Sequence, residues 1–267
     1  MKPRVLQDNA VHVWLGFETL LDVPGNAERF VALMSDEERV RDQRFLVEPA
    51  RRLHRLARGM QREVLASYLP GTTPRELAFV SGATGRPALA PPFDTSGIEF
   101  NLAHTKGLVV LAVTRGAALG IDVEIYDKKV PLEVARRFFS PAEVDALEAL
   151  PADAQPHRFL RLWTLKESYL KAVGTGIAGG LDSMTFRIDD AGACAFERAD
   201  DARAAHWSFS QFDVGARHVM ALARLAAQAG RAHADIEWLD FDGASSPATR
   251  IEPLLRGASG QEERAQA

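Results

Sequence analysis

Residues 118–127 read ALGIDVEIYD, with Ile121, Val123 and Ile125 alternating with Asp122 and Glu124. This is the period-two pattern of a strand with one face in a core. Both carboxylates then leave the same face, roughly 7 Å apart at a rise of about 3.3 Å per residue. Nothing within the strand neutralises them. Two like charges on one face are unfavourable unless they are solvated, share a proton or hold a cation. The stretch therefore fits a strand with a wet outer face, a divalent-cation site built from oxygens or an acid/base pair. The preceding Gly120 lets another group approach closely.

The chain of 267 residues is long enough for one large domain or two modest ones. Its 46% apolar and 25% charged content matches a soluble globular protein. A net charge of −4 gives no global pull toward nucleic acid or membrane, so any anion site must be local. The single Cys194 excludes an internal disulfide framework or a Cys-rich metal site, and it reads as a small buried or loop residue. That usage suits a reducing compartment. The start, MKPRVLQDNAVHVWLG, carries acids and polar residues where a signal peptide needs an apolar run. With no membrane-spanning stretch either, a cytoplasmic location is expected.

Residues 11–17 alternate as a first strand, residues 26–34 have helical spacing, and Ser35-Asp36-Glu37-Glu38 reads as the cap and acidic first turn of another helix. Pro49 interrupts before 50–69, where Leu53, Leu56, Ala57, Met60, Val64 and Leu65 recur at helical intervals. The other side of that helix is basic, with Arg51, Arg52, Arg55, Arg58 and Arg62 on or beside it. A charge run is ordinarily a solvated face, yet like charges this dense disfavour one another. Some are therefore expected to meet an anion. Residues 77–80 and 98–101 read as short strands, separated by the turn-rich SGATGRPALAPP with Arg86 in it, and 108–114 as a buried strand. His104 stands at a strand end, where it can reach a cleft, although a lone histidine is commonly a satisfied structural residue.

A helix is predicted over 132–139, and Ser140-Pro141-Ala142-Glu143 starts the next with a cap, a first-turn proline and a capping-box acid. A long helix follows over 155–173, with Phe159, Leu162, Trp163, Leu170 and Val173 as its apolar stripe. Trp163, Glu167 and Lys171 fall at intervals of four, and Lys166 lies beside that line. Alone, these describe a core tryptophan and a Glu–Lys surface pair worth a few tenths of a kcal/mol. GTGIAGG ends the helix, and strands follow at 185–188, 207–212 and 218–223. Helices followed by strands are an α+β order. Beyond Ala226 only 236–241 looks ordered, and 243–267, rich in Ala, Ser, Gly and charge, is expected to be mobile.

Five stretches, in this order, resemble the phosphopantetheinyl transferases of the surfactin-synthetase-activating type, in the holo-carrier-protein synthase superfamily. They are GRP at 85–87, FNLAHTKG at 100–107, GIDVE at 120–124, RRFFS at 136–140 and WTLKESYLK at 163–171. With the basic helix and the glycine loop, the resemblance covers about residues 10–225. It implies an α+β fold of two similar halves about a pseudo-twofold axis, with coenzyme A in the cleft between them. The N-terminal half (1–117) would bind the coenzyme's phosphates, and the C-terminal half (118–226) would carry the metal and the catalytic helix. Residues 227–267 would be a partly disordered extension.

In the family, the acids matching Asp122, Glu124 and Glu167 coordinate Mg²⁺, with Mn²⁺ an alternative, beside the coenzyme A pyrophosphate. Three hard oxygen ligands with phosphate and water suit that ion. Glu167 also matches the residue that takes the proton from the acceptor serine. Lys171, and more weakly Lys166, match phosphate contacts, while Trp163 matches a packing and positioning residue. His104 matches the histidine on the ribose phosphate of coenzyme A, and Arg86 stands where the family has a lysine or arginine for the same ligand. Arg52 and Arg58 are the phosphate candidates from the basic helix. Ala103 replaces the family's usual serine. That removes a hydroxyl worth about 0.5–1.5 kcal/mol of net hydrogen bonding unless Thr105 or backbone N–H groups compensate.

The implied reaction moves the 4′-phosphopantetheine arm of coenzyme A to a serine of an apo acyl or peptidyl carrier protein and releases adenosine 3′,5′-bisphosphate. Such carriers serve fatty-acid, polyketide and peptide-synthetase pathways, and enzymes of this kind act as monomers. Lys128, Lys129 and residues 130–139 are expected to face the acidic carrier, with Phe138 and Phe139 read as core. Two alternatives stand beside this. A non-catalytic coenzyme A- or carrier-binding protein on the same scaffold predicts a missing ligand or base. A metal-dependent phosphodiesterase has no use for the histidine–arginine half of the site.

Overall fold

The computed structural model describes residues 1–82, 85–130, 132–176, 180–189, 193–198, 201–226, 234–241 and 251–258. In chain order the first elements are β1 (Ala10–Phe17), α1 (Asn26–Leu33), α2 (Asp36–Gln43), α3 (Glu48–Ser67), β2 (Phe79–Ser81) and β3 (Pro87–Leu89). Next come β4 (Ile98–Thr105), β5 (Leu108–Arg115), β6 (Leu119–Ile125), α4 (Glu133–Phe138), α5 (Pro141–Glu148) and α6 (Gln155–Val173). The remainder are β7 (Thr185–Ile188), β8 (Cys194–Glu197), β9 (Trp207–Val214), β10 (His218–Leu225), β11 (Asp235–Asp240) and β12 (Ile251–Ala258). Two units form. The first holds Met1–Gly116, Ile121–Val123 and Ala234–Thr249, and the second Ala117–Gly120, Glu124–His233 and Arg250–Ala267.

In the first unit the sheet order is β11-β1-β5-β4, with β11 parallel to β1 and the other neighbours antiparallel. The apolar stripe of α3, including Leu56, Met60 and Val64, closes over it in one core with Phe30, Trp14, Phe100 and Leu111. Pro49 does not interrupt α3 but lies in its first turn, where a missing N–H costs nothing. The basic side of α3 is partly solvated, and several of its arginines already meet anions within the chain. Arg52 pairs with Glu18 and Asp22, Arg55 with Asp42 and Arg62 with Glu38. Ser35 caps α2 in a capping box with Glu38, so one acid both starts a helix and neutralises α3.

In the second unit the order is β12-β9-β10-β6. Here α6 packs on β10, and its Leu165 and Tyr169 share a core with Phe186, Phe196, Trp207 and Phe209. Cys194 is buried and unpaired, and burial pushes its thiol pKa up to about 12. Each unit thus sets one long helix on a four-stranded sheet, which is the α+β class.

The C-terminal stretch corrects the sequence reading. Residues 235–240 and 251–258 are edge strands, one in each sheet. The first matches the expected order at 236–241, while the second falls where mobility was expected. Pro253 fits there because an edge strand can spare an N–H, and the pairing with β9 slips between Pro253 and Leu255. The rest of the expected mobility, at 243–250 and 259–267, lies outside the described residues. Among the described residues no helix is long and apolar enough to cross a membrane.

A buried polar chain fastens β11. Trp14 Nε1 donates to the Tyr68 hydroxyl at 2.9 Å, that hydroxyl lies 2.7 Å from His12 Nδ1, and His12 Nε2 lies 3.0 Å from Glu237. Burial lowers the His12 pKa and outweighs the upward pull of Glu237, while Arg4 lowers it further. We therefore assign a neutral ring with the proton on Nε2, so the Glu237 contact is a hydrogen bond. The unfolded chain takes up this proton near pH 6.5 and the folded one only at lower pH. The contribution to stability is present above 6.5 and is lost as pH falls below it. The urea midpoint should drop between pH 7.5 and 5.5, and His12→Gln should flatten that slope. An unchanged slope would show that His12 does not titrate with unfolding.

Candidate functional site

Gly120, Asp122 and Glu124 occupy one side of β6, and the glycine explains how that strand is seated. A Cβ at Gly120 would fall 2.0 Å from the Ser168 carbonyl oxygen and 2.5 Å from Ala172 N of α6. Only glycine allows this approach. Ser168 and Ala172 directly follow Glu167 and Lys171, so the contact fixes the strand's height on the turn of α6 that carries them. One residue beyond the glycine, Ile121 N donates to the buried Asn101 Oδ1 at 2.9 Å. Asn101 lies inside the FNLAHTKG stretch, and nothing in its local pattern marks this role. Its buried acceptor holds the backbone next to the first acid.

Asp122 is buried at 7% exposure. Glu124 is half-buried, and the Lys128 ammonium sits on its Oε1. On α6, Trp163, Glu167 and Lys171 are half-buried. Among the described residues no three His, Cys, Asp or Glu side chains are gathered closely enough to enclose a metal ion. The donors on β6 and α6 are nevertheless carboxylates, the hard oxygens that Mg²⁺ takes one or two at a time, completing its shell from phosphate and water.

Lys166 is placed otherwise than the resemblance implied. It is fully buried, and its Nζ donates to Leu181 O at 2.6 Å and Met184 O at 2.8 Å and pairs with Glu143 Oε2 at 2.7 Å. All three ammonium protons are engaged inside the second unit, which leaves none for a phosphate. Burial lowers the Lys166 pKa and Glu143 opposes that shift. Glu143 also accepts from Ser140 N at 2.9 Å and Phe186 N at 2.8 Å. The capping-box acid read from the sequence is therefore also the counter-ion of Lys166.

The phosphate-binding candidates of the first unit lie on α3, on β4 and just before β3. His104 is exposed at the end of β4. Arg86 pairs at 3.1 Å with Glu99, which lies on the opposite face of β4 and five residues from His104, about 16 Å of strand rise. Arg52 is held by two carboxylates at 3.0 and 2.7 Å. Arg58 donates to Gln61 at 2.8 Å and lies 4.0 Å from Glu38. Burial lowers its pKa, and Glu38 works against that.

A groove of about 190 Å³ in the second unit is lined by Val130, Val134, Phe159, Leu160 and Trp163, with Lys128 and Lys129 on its edge. Phe139 is core, as expected, and stacks on Phe159 at 5.0 Å. Phe159 stacks in turn on Trp163 at 5.7 Å, which makes Trp163 the outer member of a run of rings.

Residues 118–223, from β6 to β10, match the model of the 4′-phosphopantetheinyl transferase superfamily. The chain is 38% identical over 175 residues to the 4′-phosphopantetheinyl transferase HetI of Nostoc, covering 65% of this chain and 72% of that one. It is 31% identical over 173 residues to the 4′-phosphopantetheinyl transferase Sfp of Bacillus subtilis, covering 65% and 75%. A solved structure, the holo-[acyl-carrier-protein] synthase of Thermotoga maritima, aligns with 42% of this chain and 65% of its own at 22% identity and a TM-score of 0.35. The relationships to the two curated enzymes extend over most of both chains, and on them the chain belongs to the 4′-phosphopantetheinyl transferase superfamily, enzymes that transfer phosphopantetheine to carrier proteins.

Proposed function

We propose that this transferase takes its phosphopantetheine from coenzyme A with the help of Mg²⁺ or Mn²⁺, and that β6 and α6 carry the chemistry. The observation that carries this reading is the backbone contact of Gly120 with α6 beside Glu167 and Lys171. Asp122, Glu124 and Glu167 are the proposed source of the cation's carboxylate ligands, one or two of them at a time beside phosphate and water. The ion, when bound, neutralises pyrophosphate charge and polarises the attacked phosphorus.

Glu167 accepts the proton of the acceptor serine as its oxygen bonds to the phosphorus that carries the pantetheine. A serine hydroxyl is a weak nucleophile unless a base lies within hydrogen-bond reach. The bond from that phosphorus to the bridging oxygen breaks, and adenosine 3′,5′-bisphosphate leaves with the electron pair. Lys171, in the last turn of α6, offsets the charge that appears on the leaving phosphate. His104 is the proposed contact of the ribose phosphate. Arg86, Arg52 and Arg58 serve coenzyme phosphates only where a phosphate displaces or joins their present partners. Lys166 has no part in phosphate binding.

The groove at Trp163 is the proposed seat of the carrier. Its apolar floor and lysine edge complement an acidic amphipathic helix. Single-cysteine usage fits a reducing, cytoplasmic setting.

Incubation with apo-carrier proteins, coenzyme A and Mg²⁺, followed by intact mass, should show one added phosphopantetheine per carrier, and a chelator should stop the addition. No mass gain on any of a broad panel of fatty-acid, polyketide and peptide-synthetase carriers would sink the reading.

A further inference from the structure

Lys166 and Glu143 form a fully buried ion pair, both side chains at 0% exposure, and no step proposed above uses it. An isolated pair of this kind is a poor stabiliser. Desolvation offsets much of its attraction, and replacement by uncharged groups of like shape is often neutral or better. This pair, however, joins several pieces of backbone. Lys166 belongs to α6 and holds the carbonyls of Leu181 and Met184, in the segment that follows the glycine loop. Glu143 belongs to α5, binds the N–H of its cap residue Ser140 and takes the N–H of Phe186 at the start of β7. The ring of Phe139 lies against the Lys166 ammonium at 5.1 Å.

Lys166 precedes Glu167 directly and stands five residues before Lys171. On a helix of 3.6 residues per turn its side chain leaves about 100° away from that of Glu167. Pulling Lys166 inward therefore fixes which way Glu167 faces. The Gly120 contact sets how closely β6 approaches α6, and the apolar side chains Leu165 and Tyr169 seat the helix on its sheet. The ion pair adds a directional polar anchor next to Glu167, which apolar packing alone does not supply.

We propose that Glu143 and Lys166 are positioning residues, which lock the rotation of α6 so that Glu167 and Lys171 face the reacting groups. This rests on the role given to Glu167 and Lys171 under the proposed function. The pair touches no substrate.

The test is the double variant Glu143→Gln with Lys166→Met, which removes both charges at nearly constant shape and keeps a capping-box side chain at 143. Its urea midpoint should fall, because the carbonyls of Leu181 and Met184 lose their donor, so kcat is read per folded molecule. Its kcat for carrier modification should fall about a hundredfold, the loss that a misplacement of about 1 Å brings, while KM for coenzyme A changes less than about twofold. Amide exchange over residues 163–171 should quicken. A kcat kept at the wild-type level, or lost only in proportion to the unfolded fraction, would overturn the proposal.

Should the double variant not fold, Glu143→Asp keeps the charge and withdraws the carboxylate by one methylene. Its kcat per folded molecule should drop with KM held, and an unchanged kcat again overturns the proposal. Wild type measured alongside separates the two readings. If it modifies no carrier, the donor and acceptor assignment fails, and the pair is then judged by amide exchange at 163–171, where no change counts against it.

Discussion

Glu167→Gln should fold like the wild type and modify carrier protein about 10²–10⁴-fold more slowly, the range lost with a general base. The side chain is half-buried on α6, and the amide has the same shape, so the variant tests charge and basicity while leaving packing alone. Two contributions vanish together. The serine proton loses its acceptor, and the proposed cation loses a ligand. Raising Mg²⁺ restores only the second, so a metal titration divides them. If saturating Mg²⁺ recovers the full rate, Glu167 binds metal and some other group takes the proton. Single-turnover intact mass reads the rate, and a value within about twofold of wild type at ordinary Mg²⁺ would remove Glu167 from the chemistry.

Gly120→Ala should cost about 3 kcal/mol or more of stability, at or beyond the upper end of ordinary overpacking. What a methyl would meet is the carbonyl oxygen of Ser168 at 2.0 Å and the nitrogen of Ala172 at 2.5 Å. Neither can turn aside as the end of a side chain can. Either β6 lifts from α6 or α6 bends. Gly82→Ala is the control, since a Cβ there comes no nearer than 3.6 Å to Arg86 O, and its effect should stay under about 1 kcal/mol. Urea unfolding followed by circular dichroism compares the two. A Gly120→Ala midpoint equal to that of Gly82→Ala would mean that the approach of β6 to α6 is loose.

What the sequence revealed and what it withheld divide along the range of the interactions. The long helix over 155–173 was read with the bounds it has in the structure, because its apolar spacing and glycine stop are local. The cap at Ser35 and the capping box at Ser140 were legible for the same reason, while the reciprocal bond from Glu38 that completes a box at Ser35 appears only in the structure. Gly120 announced a close approach, though not to what. The partners of the α3 arginines were hidden, since Arg52 finds its acids 34 and 30 residues away and Arg62 its acid 24 away. Lys166 deceived by its neighbour: adjacent to Glu167 in a motif, it points into the core because α5 and the Leu181–Met184 segment supply polar partners there. The strand β12 was missed because Ala, Gly and charge around it mask a short run whose partner is β9. At the candidate site, β6 and α6 could be read from residue pattern and resemblance, whereas the partners of Arg52, Arg58 and Arg86 are side-chain pairings that no local pattern encodes.

Both sheets take an outer strand from the last part of the chain, β11 beside β1 and β12 beside β9. In the order of synthesis this is an awkward arrangement. The first strand made waits for Asp235 to reach Ala10, and until then β1 presents a bare edge, as β9 does until β12 emerges. Unpaired edges of this kind recruit strands from other chains, and contacts between distant parts of a chain form slowly. Each nascent copy therefore passes through a stage in which most of its core residues exist while neither sheet is closed. The yield of folded enzyme depends on how quickly residues 235–258 arrive, a demand on the cell that is separate from the stability of the finished protein.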